Sequence, residues 1–248
     1  MDLRKGFHEP VEKPRRFYRE VTVASVEGGF AILLDARRLK TPRAAPMRLP
    51  TATLAEQVAE EWANQGEILE LATMHATRLA NTAIETIGAT REGVADQIAE
   101  YAGSDLLCYF AESPTELVAL QRAAWEPVLA RAEAEVRLRF VRAAGIVHQE
   151  QPTETIARVR EIALALDDFT LAGLAFATPL FGSAVLAISL LRGWVDGREA
   201  YDISRVDEAF QESLWGVDAD AAERTARLRE EAMMLDRWFR GLSAPRGV

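Results

Sequence analysis

Residues 39–56 read LKTPRAAPMRLPTATLAE, and the change of pattern inside this stretch decides the fold. Pro42, Pro46 and Pro50 interrupt regular structure, and each residue ahead of a proline is pushed toward extended backbone. Upstream, Phe17, Tyr18, Val21 and Val23 form a β-branched and aromatic run, Glu27-Gly28-Gly29 supplies a turn, and Phe30-Ala31-Ile32-Leu33-Leu34 a second run. Two such runs around a Gly-Gly turn predict a β-hairpin. Asp35-Ala36-Arg37-Arg38 predicts a second turn leading into Leu39. An isolated hairpin is marginal in water, so this unit must pack on the helical remainder of the chain.

Downstream of Pro50 the apolar period becomes helical. Thr53-x-x-Glu56 predicts a capping box, and Leu54, Val58 and Trp62 form one buried stripe at steps of four. A long helical pattern runs through Leu79, Ala83, Ile87, Val94, Ile98 and Tyr101. Ser113-Pro114-Thr115-Glu116 predicts a helix start, with Ser as cap and Pro in the first turn, leading to Leu117, Leu120, Trp125 and Val128. Helical spacing returns at Ile156, Val159, Ile162 and Leu166, and two last helices are expected to hold Val206, Phe210 and Leu214, then Leu228, Leu235 and Trp238. Residues 136–147 read either way, with room for a short extended piece. The expectation is an α+β fold: a small N-terminal β domain built on a hairpin, residues 1–50, followed by a larger, mostly α-helical domain, residues 51–248.

Charge divides at the same border. The 248 residues carry a formal net charge of -9, yet residues 1–50 are net positive and the remainder is strongly acidic. Nucleic acid is a poor partner for such a body, because its charge repels the phosphate backbone. One cysteine excludes a disulfide framework and fits a reducing compartment. The first sixteen residues lack the apolar run of a signal peptide, which makes a cytoplasmic chain, or a mature one, the expectation.

Residues 169–191 hold no charged side chain, long enough to raise the question of a membrane span. Pro179 divides the run, with Thr178-Pro179 reading as the cap and first residue of a fresh helix, and neither flank has the basic cluster of a membrane interface. A buried central helix pair is the expectation, without stable membrane insertion.

The search for chemistry is mostly negative. No phosphate-binding glycine loop, His-Glu-x-x-His or nucleophile elbow is present. Cys108 with His75 or His148 as base is the one nucleophile arrangement to weigh, and its neighbours Leu106, Leu107 and Tyr109 read instead as the surroundings of a buried thiol. Acid pairs such as Glu60-Glu61, Asp207-Glu208 and Glu230-Glu231 are abundant in a chain with 38 acids and read as solvated. No metal or other cofactor is implied. Two polar groupings are less ordinary. Glu208, Gln211 and Trp215, with Asp207 beside them, share one helical face that mixes acid, amide and aromatic, the composition of a recognition surface. The competing reading packs Trp215 inward and leaves Glu208 solvated. Asn81 and Thr82 interrupt the apolar pattern from Leu79 to Ile87, either as a polar contact between helices or as a binding position.

From Arg16 onward the chain resembles the assembly chaperone family of the ATP synthase F1 sector, in the branch that handles the alpha subunit. The resemblance rests on Arg16-Phe17-Tyr18-Arg19-Glu20-Val21, Leu34-Asp35, Leu39-Lys40-Thr41-Pro42, Leu49-Pro50-Thr51, Glu61-Trp62-x-x-Gln65 and Leu79-Ala80-Asn81-Thr82-Ala83-Ile84. It continues through Asp105-Leu106-Leu107-Cys108-Tyr109, Trp125-x-Pro127, Gly182-Ser183, Val206-Asp207-Glu208-x-x-Gln211 and Trp215-Gly216-x-Asp218. Ala36, Arg38, His75 and Glu85 depart from the pattern.

The resemblance implies a protein that holds the unassembled F1-ATPase alpha subunit until assembly, with no catalysis and no nucleotide or metal of its own. A bacterial, cytoplasmic and monomeric member is the expectation. Partner contact is assigned to Asp207, Glu208, Gln211 and Trp215, and further to Asn81 and Asp105, whereas Trp62 is assigned to the core. Two alternatives are carried beside it: a cytosolic enzyme using a carboxylate or His site, and a membrane-associated protein using residues 169–191.

Overall fold

The computed structural model describes residues 14–145, 147–216 and 219–243. The first thirteen residues of the expected β domain, and Asp218 of the Trp215-Gly216-x-Asp218 motif, lie outside these.

Strands β1 (Val21–Val26) and β2 (Gly29–Leu34) pair antiparallel, Val21 opposite Leu34 and Val26 opposite Gly29. The turn needs its glycines: Gly28 has φ of 77°, and a Cβ on Gly29 would lie 2.4 Å from the Leu49 carbonyl oxygen. Two short strands, β3 (Arg37–Arg38) and β4 (Arg48–Leu49), add to β2 antiparallel. Asp35 makes the second turn with φ of 53°, and its carboxylate accepts from the backbone N–H groups of Arg19 and Glu20 at 3.0 and 2.9 Å. Those bonds hold the carboxyl below its ordinary range.

Ile32, Leu34, Leu39, Met47 and Leu49 form the buried face of this sheet, which packs on helix α1 (Ala52–Ala63) through Leu54, Val58 and Trp62. The predicted stripe is therefore correct, but its cap is not the predicted one. Thr51, not Thr53, caps α1: its Oγ1 accepts from Leu54 N at 3.2 Å and donates to the Gly241 carbonyl at 2.7 Å. Thr51 is wholly buried, so a hydroxyl that serves two backbone groups at once is favoured there. Arg16 and Tyr18 close the same junction. The Tyr18 hydroxyl donates to the Trp62 carbonyl at 2.7 Å, and Arg16 donates to the Ala63 carbonyl at 3.1 Å with its guanidinium 4.7 Å from the Tyr18 ring centre.

Helix α2 (His75–Thr82) passes through a π-helical turn, Ala83–Ile87, into α3 (Gly88–Gly103). The extra residue of such a turn shifts the face of the helix, and here Glu85 within it accepts from Arg43 N at 2.6 Å, tying the helix to the proline-rich loop. Strand β5 (Tyr109–Phe110) runs parallel to β6 (Ala143–Ala144), so the ambiguous stretch does hold a short extended piece. Between them runs α4 (Thr115–Val136), which starts after Pro114, so the expected cap at Ser113 is displaced by one residue.

Helix α5 (Thr153–Leu164) leads to α6 (Asp168–Phe181) and α7 (Ala184–Leu191), the two helices of the apolar run. The break between them falls at Gly182-Ser183 and not at Thr178-Pro179. Pro179 sits in the last turn of α6, Gly182 leaves the helix with φ of 63°, and Ser183 caps α7 by accepting from Leu186 N at 2.9 Å. Both helices lie in the core, where Ala184 to Leu190 are almost completely buried. Among the described residues no helix is long and apolar enough to cross a membrane.

Helices α8 (Gly197–Ser204), α9 (Val206–Trp215) and α10 (Ala219–Ser243) are the last described elements. A Cβ on Gly197 would lie 2.5 Å from the Ala232 carbonyl oxygen, so glycine is what allows α8 to meet α10 this closely. Trp125 and Trp238 are wholly buried, and their indole N–H groups donate to the carbonyls of Ile203 and Phe169 at 3.0 and 3.1 Å.

Candidate partner-binding surface

Helix α9 differs from the other α-helices in having no buried residue. It packs on α4, and the contact is polar as well as apolar. Asp207 Oδ1 accepts from Gln121 Nε2 at 2.6 Å, while Gln121 Oε1 accepts from Ala111 N at 2.7 Å. Gln121 is almost completely buried and so couples α9, α4 and the segment after β5. This part of Asp207 is internal. Gln121 had a legible signal, because it is the one polar residue in the stripe Leu117, Gln121, Trp125, Val128.

The rest of the face points outward. Trp215 is 83% exposed and Leu214 58% exposed, at the C-terminal end of the helix, where Gly216 terminates it with φ of 81°. Gln211 is exposed as well. Glu208 is half-buried, and its Oε1 accepts from Arg205 Nη1 at 2.6 Å. The reading that packs Trp215 inward is thereby excluded for this conformation, and of the expected apolar stripe Val206 packs against the core, Phe210 is half-buried and Leu214 is exposed. A solvated tryptophan beside an exposed leucine leaves apolar area uncovered where a core helix would bury it.

The two remaining residues assigned to partner contact lie elsewhere. Asn81 is on α2, which packs against α1, α6 and α10; it is half-buried, and its Oδ1 has no hydrogen-bond partner among the described residues. Asp105 is completely buried. Its two oxygens accept from Leu107 N and Val185 N, both at 3.1 Å, and join the turn ahead of β5 to the start of α7. Its carboxylate therefore faces the interior and offers no surface to a partner in this conformation. The Gly182-Ser183 break supplies the reason, since it opens the N-terminal N–H groups of α7 to an anion.

Burial pushes the Asp105 carboxyl from its ordinary 3.8 up to about 6, against the pull of the Ser183 hydroxyl and the backbone donors. An acid whose pKa is raised in the fold is protonated there while the unfolded chain has already ionised. Its contribution to stability therefore falls as pH climbs from about 4 to about 6. We expect the difference in unfolding free energy between the wild type and Asp105→Asn to change by about 2–3 kcal/mol across that window. Urea denaturation at several pH values measures it, and parallel curves for the two proteins would contradict the assignment.

The groups considered for catalysis are occupied or enclosed. Cys108 is buried, and burial pushes its thiol up. His148 Nδ1 lies 3.0 Å from the Tyr109 hydroxyl, and His75 Nδ1 3.6 Å from Glu231 Oε1. Glu60 pairs with Arg237. Glu61, its pKa raised by burial, caps α2 by accepting from Ala76 N, Thr77 N and the Thr77 hydroxyl at 2.7–2.8 Å. A groove of about 560 Å³ between α3 and α6, lined by Val94, Ile98, Tyr101, Ala175 and Pro179 among others, contains neither of the two carboxyls with raised pKa, whereas Glu61 borders a smaller cavity of about 160 Å³ with Glu60, Asn64 and Arg237. No cluster of His, Cys, Asp and Glu suited to a metal ion occurs among the described residues.

The model of the family described as ATP12 chaperone protein matches residues 15–133. The protein named "atp12, mitochondrial" of Schizosaccharomyces pombe is 25% identical over 228 residues, which span 86% of this chain and 78% of the yeast protein. Among solved structures, Atp12 from Paracoccus denitrificans aligns with a TM-score of 0.84 at 36% identity, covering 91% of this chain and 97% of that one. The Atu1473 protein of Agrobacterium tumefaciens aligns with a TM-score of 0.86 at 38% identity, covering 92% and 86%. With more than a third of its aligned residues and nearly its whole architecture in common with a solved Atp12, the chain belongs to the ATP12 chaperone protein family.

Proposed function

We propose that the protein binds the unassembled alpha subunit of the F1 sector of ATP synthase, shields it from aggregation, and releases it into assembly of F1 without catalysing a reaction. An unpaired subunit exposes apolar interface that drives association with wrong partners, and a chaperone acts by covering it reversibly. The observation that carries the reading is the outward α9 face, where Trp215 and Leu214 stand uncovered about two turns from the carboxylate of Glu208 in a member of a chaperone family. Apolar area with a charged border suits a contact that must form and part.

In this reading Glu208, Gln211 and Trp215 meet the client, Asp207 holds their helix to α4, and Asn81 lies at a second contact on α2. Asp105 acts indirectly by fixing the chain between β5 and α7. The same proposal treats residues 1–50 as a small β domain and residues 51–248 as the helical domain that meets the client, in a monomer of the bacterial cytoplasm.

Co-expression with the alpha subunit alone, followed by affinity capture, tests it. Soluble alpha subunit recovered with the protein is the expected result. Alpha subunit that stays insoluble and uncaptured would end the proposal.

A further inference from the structure

Arg205 immediately precedes α9, and its carbonyl accepts from Ala209 N at 2.8 Å in the first turn. The same residue ends α8, so its cation stands between the negative pole of α8, which favours it, and the positive pole of α9, which does not. Its guanidinium is placed on Glu208, at 2.6 Å, with both side chains partly exposed. Between Val206 and Trp215 the helix carries Asp207, Glu208 and Glu212 and no basic residue. Asp207 is committed to buried Gln121, whereas Glu208 is paired with Arg205, and solvent reaches both side chains of that pair.

We propose that Arg205 limits the affinity of the α9 face by occupying the Glu208 carboxylate, which a cationic side chain of the client must take over. This rests on the reading of α9 as the client-binding face. The partner group it requires is a guanidinium or ammonium, set about 10 Å from a large apolar side chain. That is the span of the seven residues from Glu208 to Trp215 at 1.5 Å each. Binding then exchanges one ion pair for another, and the charge contributes to the choice of client more than to the strength of the complex. Such an exchange suits a protein that has to let go.

The test is competition. Labelled wild-type protein is bound to immobilised alpha subunit and displaced by unlabelled variants of the full chain. Arg205→Ala is expected to displace it about two- to fivefold better than the wild type does, the worth of one exposed ion pair. The gain must vanish when Glu208→Gln is added. Arg198→Ala provides the control: it removes the same charge from α8, where Arg198 lies 3.8 Å from Asp202, and should leave competition unchanged. Arg205→Gln replaces Arg205→Ala should the latter melt lower than the wild type.

Equal or poorer competition by the Arg205 variants overturns the proposal. So does a gain that persists with Glu208→Gln, or an equal gain in Arg198→Ala, which would mark a general charge effect. If Trp215→Ala fails to compete while Arg205→Ala matches the wild type, the role of Arg205 falls and the α9 face stands. If labelled wild type does not bind alpha subunit at all, both fall together.

Discussion

Trp62→Ala lowers the unfolding free energy by about 3–5 kcal/mol, the usual cost of cutting a buried tryptophan to alanine. The site cannot collapse easily to refill the gap. Trp62 is 8% exposed, lies under the sheet in line with Leu54 and Val58, and has the Tyr18 ring 5.7 Å from its own. Its carbonyl also accepts the Tyr18 hydroxyl, so movement of α1 into the cavity would strain the hydrogen bond that joins strand and helix. Trp62→Phe separates packing from polarity. The indole Nε1 is buried with no acceptor among the described residues, so phenylalanine removes an unsatisfied donor along with some volume. We expect it to cost less than half as much as Trp62→Ala. Urea denaturation of the three proteins decides the matter, and a loss below about 1 kcal/mol for Trp62→Ala would remove Trp62 from the core.

Trp215→Ala shows the opposite pattern. A side chain 83% exposed contributes little to folding, so its stability stays within about 0.5 kcal/mol of the wild type. Binding to the alpha subunit should weaken by about 2–4 kcal/mol, roughly 30- to 1000-fold, which is the scale of an aromatic anchor at the centre of an interface. Glu208→Lys acts on the same face by charge. It breaks the pair with Arg205, places two cations one helical turn apart, and costs the fold a few tenths of a kcal/mol. Against a cationic client group it replaces attraction with repulsion, and binding should be lost. Melting curves and capture of the alpha subunit, run on both variants, check the pair of expectations. A variant that unfolds while still binding would reverse the roles of core and surface.

Much of the fold is legible in local pattern because local chemistry dictates it. Gly28 and Gly29 adopt backbone that other residues avoid, and the hairpin turns there. Leu54, Val58 and Trp62 recur at the helical step, and α1 buries that face. The π-helical turn at Ala83–Ile87 is not legible, because residues 79–101 keep an acceptable helical period with or without an extra residue. Its distant partners are α6, against which it packs, and the proline-rich loop, whose Arg43 N–H donates to Glu85. The cap of α1 escapes for the same reason. Thr51 and Thr53 are equivalent in sequence, and the carbonyl of Gly241, far along the chain, favours Thr51.

The candidate surface divides along similar lines. Spacing alone places Glu208, Gln211 and Trp215 on one helical face, since residues three, four and seven apart stack on a helix of any origin. Whether that face turns inward depends on what α9 meets. Gln121 draws Asp207 down onto α4, which commits one side of the helix and leaves Trp215 outside. Asp105 is the converse case, an acid assigned to partner contact that the N-terminus of α7 holds in the interior.

The sequence by itself determined the two kinds of structure, the proline-marked border between them and the composition of the α9 face, because turns, caps and apolar periods act over a few residues. Only the tertiary structure decided which polar groups of those motifs are enclosed and which stand free. Burial is settled by elements far apart in the chain, and each enclosed donor or acceptor has to find its partner among them.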